Sequence, residues 1–261
     1  MSVAVDDEYC FEQPLNERIR TFLRLEHLTA RLRYHREQPT GDSAWGRRAT
    51  MDALLDVLNV MSRHDIRGEV SKELALRQAS LQRLANRDDV DVAALEGVLT
   101  DISHISREMA AIAPQFASYL LRDNELLNSL NNRHAIPGGT CSFDLPTYHH
   151  WLNHAGARVA DDIARWCQRI EPVERGVAFL LRLLRGSADT HTQTAHNGVL
   201  VHNTEVGTQM IRVFIDNNSV YPEISAGRHR ATVRFMTYQD ADLHAGQAQT
   251  SITFRMACCR F

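Results

Sequence analysis

Between Asn16 and Arg185 apolar residues return every three or four positions, the spacing that lines one face of a helix. Ile19, Phe22, Leu23, Leu25, Leu28 and Leu32 form the first stripe, with Asn16 placed to cap the helix and a polar stretch holding Pro39 and Gly41 to end it. Met51, Leu54, Leu55, Leu58 and Met61 form the second, and Val70, Leu74, Leu81 and Leu84 the third. Asp91 opens a fourth through Leu95, Val98, Leu99 and Ile102, and Pro114 a fifth through Phe116, Tyr119, Leu120, Leu127 and Leu130. Core packing between helices accounts for every stripe. Residues 136–146 (IPGGTCSFDLP) then interrupt the period, because two prolines flank a Gly-Gly pair. With Ile136, Phe143 and Leu145 in it, this segment reads as an ordered, partly buried loop. Helical spacing resumes over 146–153, 158–169 and 172–185, with Pro172 read as a first helical residue.

From about Asn197 the period shortens to two. Residues 198–202, 210–215, 228–238 and 249–257 read as strands, with turn chemistry at Asp216-Asn217-Asn218 and Tyr221-Pro222. In the last strand Ile252, Phe254 and Met256 alternate with Ser251, Thr253 and Arg255, so one face is buried and the other wet. The pattern predicts the α+β class: an α-helical domain over 1–195 followed by an antiparallel β domain over 196–261. Residues 8–12 (EYCFE) are placed to add a strand from the N-terminus.

Composition narrows the function classes. A chain of 261 residues with 44% hydrophobic content has the material for a full core. A net charge of −3 gives no bulk attraction to nucleic acid, so any charged partner is met by a local patch. The N-terminal MSVAVDDEYCFEQPL lacks a basic segment followed by an apolar run, and the apolar stretch at 177–184 is far shorter than the roughly 20 residues that span a bilayer. A cytoplasmic protein without a membrane segment is expected. Five scattered cysteines without CxxC spacing fit reduced thiols, not a disulfide framework or zinc site.

Three candidate chemistries remain. Cys141, Asp144 and His149 lie close in sequence near a Gly-Gly turn, the minimum for a cysteine-dependent hydrolase, though no nucleophile signature surrounds them. His149-His150, His191, His196 and His202 are rich in histidine, but their spacing matches no metal site, and the adjacent Cys258 and Cys259 point to opposite faces of a strand. No phosphate-binding glycine motif is present, and no cofactor is implied. The third candidate is basic. Arg228, Arg230, Thr232 and Arg234 project from one face of a predicted strand, which forms either a site for an extended acidic peptide or a solvated sheet face.

Several blocks together carry a family resemblance. FEQPLNERIRTFLRLEHL (11–28), RGEVSKEL (67–74), IPGGTCSFDLPTYHHWL (136–152), YPEIS (221–225) and RATVRFM (230–236) closely resemble the ZapD family. The resemblance implies a helical domain joined to a β domain, a homodimer and no enzymatic activity. It further implies binding to the C-terminal tail of the tubulin-like protein FtsZ, crosslinking its filaments at the midcell division ring during septation. Matched residue by residue, it places partner-binding roles on Arg24, Arg122, His149 and Arg230, with Arg228 and Arg234 beside the last. The chain departs from the family at Glu125, where RDNE replaces a segment whose last residue is an arginine.

Overall fold

A computed structural model describes residues 9–37, 43–85, 90–154, 156–216, 219–227, 229–238 and 246–261. The expected α+β architecture is present, and the chain divides into two units, one of residues 21–180 and the other of residues 1–20 with 181–261. The polar stretch at Pro39 and Gly41 lies outside the described residues.

The helical unit takes up most of α1 (Glu17–Glu37) and α8 (Gly156–Arg185), together with α2 (Ala44–Arg63), α3 (Ile66–Leu84), α4 (Val92–Ala111), α5 (Phe116–Asp123), α6 (Glu125–Arg133) and α7 (Pro146–Leu152). Asn16 does cap α1, its Oδ1 accepting from the Ile19 amide at 2.9 Å, and Asp91 caps α4 from the Ala94 amide at 3.0 Å. Phe22, Leu25, Met51, Leu54, Leu58, Val70, Leu74, Ile102 and Met109 are all buried, as the stripes require. Gly176 permits the close approach of α8 to α3, since a Cβ there would meet Val70 Cγ1 at 2.7 Å.

Three details differ from the sequence expectation. The helix expected from Pro114 is two helices, because Asn124 takes an extended conformation and caps α6, its side chain accepting from the Leu127 amide at 2.9 Å. Glu125 follows that cap in the first turn of α6, where the positive end of the helix dipole favours a carboxylate. The second difference is Pro172, which lies inside α8 and does not start a new helix. Ile163, Cys167, Ile170, Val173, Val177 and Leu180 are buried on both sides of it, and this continuous stripe offsets the roughly 3 kcal/mol that an interior proline costs. Third, of the three apolar side chains expected to bury the 136–146 loop only Leu145 is buried, while Ile136 is 56% and Phe143 82% exposed.

The β unit is a pair of four-stranded sheets around a shared core. One sheet has the order β1 (Tyr9–Pro14), β4 (Thr208–Ile215), β8 (Ile252–Arg260), β2 (His191–Ala195). The other runs β3 (Val199–Asn203), β6 (Arg230–Thr237), β5 (Val220–Ala226), with β7 (Gly246–Gln247) also pairing β6. The N-terminal segment therefore enters the sheet as an edge strand, with Phe11 opposite Val213. The expected domain boundary at 195/196 falls in the connection between β2 and β3, where the chain passes from one sheet to the other. There Asn197 (φ 49°) and Gly198 (φ 72°) form a tight turn, and a Cβ on Gly198 would meet the Ala248 carbonyl oxygen at 2.3 Å. Ala195, Ile211, Val213, Phe254 and Met256 of the first sheet share the core with Val220, Ala231, Val233 and Phe235 of the second and with Ala248, which follows β7. Phe235 and Phe254 meet edge to face at 4.9 Å. β5 replaces the turn expected at Tyr221-Pro222. It is an edge strand, where a proline costs no ladder hydrogen bond if its nitrogen points outward.

Candidate partner-binding surface

Alternation along β6 sorts its residues by face: Ala231, Val233 and Phe235 are buried, while Arg230 and Arg234 are exposed. Register supplies their neighbours. On the β3 side Arg230, Thr232 and Arg234 stand opposite Asn203, Val201 and Val199, and on the β5 side Thr232, Arg234 and Met236 stand opposite Ser225, Glu223 and Tyr221. The outer face of this sheet is thus a mixed field, with Val201 46% exposed at its centre, an arginine toward either end and Glu223 across from one of them. Among the described residues neither Arg230 nor Arg234 is held in an ion pair. Arg228, the third arginine expected on this face, lies outside the described residues.

The outer face of the opposite sheet also carries arginines, in a different state. Arg185, from the end of α8, donates to both oxygens of Glu12 at 2.8 and 2.7 Å, and Arg212 donates to the same carboxylate at 3.0 Å. Arg212 also lies over the Phe214 ring at 4.8 Å. Burial pushes the Glu12 carboxyl up, but the hydrogen bonds and charges of Arg185 and Arg212 outweigh it and hold the group below the ordinary glutamate range. These guanidiniums hold β1 to β4 and to the end of α8.

The remaining expected contact residues lie in the helical unit, on separate helices. Arg24 is exposed on α1. Arg122 on α5 is exposed, bonds the Asp123 carboxylate at 2.7 Å and covers the Tyr119 ring at 4.8 Å. His149 is exposed on α7, where Asn153 donates to its carbonyl at 2.7 Å. α7 itself is held by Arg48, which donates to the Thr140 carbonyl at 3.0 Å and lies over the rings of Trp45 (5.6 Å) and Tyr148 (5.0 Å). His134, at the head of the loop, has Nε2 2.9 Å from Asp56 Oδ1 and so ties the same segment to α2.

Other candidate chemistry is absorbed locally. The Cys141 thiol donates to Asp144 Oδ2 at 3.3 Å, so a carboxylate and not the His149 imidazole receives it. Among the described residues no group of three or more His, Cys, Asp or Glu is placed to hold a metal, and no helix is long and apolar enough to cross a membrane. A cleft of about 400 Å³ runs between α1 and α8, and several of its charges are already paired, Arg33 with Glu174 and Arg175 with Glu171 and with Glu108 of α4.

Sequence reasoning missed Glu223, Val201 and Tyr221 as members of this surface. Tyr221 was read as turn and Glu223 was given no place in a strand, and only the register sets all three beside the arginines.

Comparison with known proteins gives a consistent picture. The family model described as "ZapD: Cell division protein" matches residues 23–234. A cell division protein ZapD from Methylococcus capsulatus is 35% identical over 256 residues, covering 97% of this chain and 98% of that protein. Its counterpart in Aromatoleum aromaticum is 34% identical, covering 95% and 96%. The Serratia proteamaculans protein of that name is 32% identical, covering 98% and 99%.

Proposed function

The chain belongs to the ZapD family of cell division proteins, and we propose that within that role it is a non-enzymatic adaptor that binds the C-terminal tail of FtsZ. Acting as a homodimer in the cytoplasm, it crosslinks FtsZ filaments at midcell and so promotes assembly of the division septum. The observation that carries this reading is the exposed outer face of β6. Arg230 and Arg234 stand there without an ion pair among the described residues, beside an exposed valine, which is the chemistry that holds a peptide both acidic and apolar. Arg24, Arg122 and His149 are proposed as further contacts from the helical unit, and Arg228 as a neighbour of Arg230. A bundling protein presents at least two tail sites, and a chain without internal repeats obtains them through two-fold symmetry.

Co-sedimentation with polymerised FtsZ, with and without its C-terminal tail, tests the proposal. Tail-dependent pelleting is expected, and equal pelleting of tailless filaments would sink it. Arg230→Glu is expected to cost about 2 to 4 kcal/mol per site, since it turns an attraction into a repulsion. Bundling is also expected to weaken between about 50 and 300 mM salt, as the Debye length falls from roughly 14 Å to below about 6 Å.

A further inference from the structure

The outer face of β6 is not uniformly basic. Glu223 is exposed, occupies the register position directly opposite Arg234, and is not in an ion pair among the described residues. A purely acidic ligand laid along β6 would meet attraction at Arg230 and, at the other end, a field in which Glu223 offsets Arg234. The positions between are Thr232, with Val201 opposite it on β3 and Ser225 on β5. Along the strand the face therefore reads cationic, then apolar, then anionic at its β5 side.

We infer that this face selects a peptide with a charge pattern of its own: an acidic residue against Arg230, an apolar residue over Val201 and Thr232, and a basic residue against Glu223. The inference rests on the reading of this face as the tail-binding surface, and it adds the specificity. Spacing makes it quantitative. Arg230 and Arg234 are four residues apart on one strand, about 13 Å at roughly 3.3 Å per residue. Glu223 is displaced by one inter-strand step of about 5 Å, which brings its separation from Arg230 to about 14 Å. An extended peptide spans that distance in about four residues, and its residues i, i+2 and i+4 point to the same side. The acid and the base are then four positions apart with the apolar residue midway, and the order of the charges fixes the direction in which the peptide lies. Met236 and Tyr221, paired with each other beyond Glu223, extend the apolar surface past the basic residue.

A charge-swap experiment decides the matter. A labelled FtsZ C-terminal tail peptide, and variants in which each basic residue is replaced in turn by glutamate, are titrated by fluorescence anisotropy. The titrations use the full-length protein, Glu223→Lys, Glu223→Gln and Arg230→Glu, each checked for a native circular dichroism spectrum. Glu223→Lys is expected to weaken the native peptide tenfold or more, with Glu223→Gln between it and the unsubstituted protein. One peptide variant, weak on the unsubstituted protein, is expected to regain at least tenfold on Glu223→Lys. Tighter binding of the native peptide by Glu223→Lys, or no variant that regains affinity, would overturn the inference. Either of those results alongside a weakened Arg230→Glu leaves the tail-binding face standing. If Arg230→Glu binds as the unsubstituted protein does, both readings fall together.

Discussion

The two outer faces of the β unit carry arginines in opposite states. On the sheet that includes β1, Arg185 and Arg212 converge on Glu12, whose side chain is 17% exposed, while on the other sheet Arg230 and Arg234 lie in the open without an ion pair among the described residues. Residue type is the same in both places, and the difference is whether a carboxylate of the fold is hydrogen-bonded to the guanidinium, as Glu12 is to Arg185 and Arg212, or only stands beside it, as Glu223 does opposite Arg234. A guanidinium with its partner in the fold contributes to stability, and an external ligand that recruits it must first break that pair. One without a partner contributes little to the fold and keeps its hydrogen-bonding capacity for a ligand.

The contrast is broken most directly by exchanging effects. Glu12→Gln is expected to lower stability by about 3 kcal/mol, because two partly buried guanidiniums lose their counter-charge. Arg230→Ala is expected to leave stability within about 0.5 kcal/mol, the usual range for an exposed position. Urea denaturation of both variants measures this, alongside tail-peptide affinity on the folded protein. Affinity is expected to fall for Arg230→Ala and to hold for Glu12→Gln. A stability loss shared equally between them would erase the distinction.

Acid sharpens the same comparison. The Glu12 carboxyl is held below its ordinary range in the folded protein, so the unfolded chain takes up a proton first as pH falls. Its contribution is therefore complete above the unfolded value of about 4.3 and is lost as pH drops through the lower folded value. The stability gap between the unsubstituted protein and Glu12→Gln is expected to be constant from about pH 7 to 5 and to close below about pH 4. Asp56 in the helical unit behaves alike. Burial raises it, but hydrogen bonds from Arg31 and His134 more than compensate, so Asp56→Asn is expected to show the same acid closure. A gap that widens on acidification would mean that neither carboxylate is held by its cations.

Much of this was legible in the sequence, and the omissions share a cause. The helical stripes, the Asn16 and Asp91 caps and the inward face of β6 follow from local spacing and cap chemistry, which depend only on neighbours along the chain. Pro172 misled because its local meaning, a helix start, is overridden by a buried stripe whose partners are distant in sequence. Tyr221-Pro222 reads as a turn because Tyr-Pro is a turn signal, whereas an edge position makes a proline tolerable in a strand. Within the candidate surface Arg230 and Arg234 were visible as alternate strand positions. Glu223 was not, because its place opposite Arg234 is set by the pairing of β5 with β6. The internal commitment of Arg212 to Glu12 was equally hidden, since 200 residues separate them.

The smallest expected effect carries the distinction from arginines to a thiol. Cys141 is half-buried, and its Sγ donates to Asp144 Oδ2 at 3.3 Å, so it too is a group whose partner lies within the fold. Serine in its place retains a donor to the same carboxylate, and a hydroxyl is the stronger donor, while the larger sulfur is lost from local packing. These changes oppose one another, so Cys141→Ser is expected to shift stability by no more than about 1 kcal/mol and to leave FtsZ bundling unchanged. A hydrolase built on Cys141 and His149 makes the contrary forecast: rapid alkylation of Cys141 by iodoacetamide at neutral pH, slowed in His149→Ala. Because Asp144 and not the imidazole receives the thiol's hydrogen bond, alkylation is expected to be slow and indifferent to His149. Mass spectrometry of the modified peptide over time distinguishes the two, and a His149-dependent rate would return Cys141 to the list of functional groups.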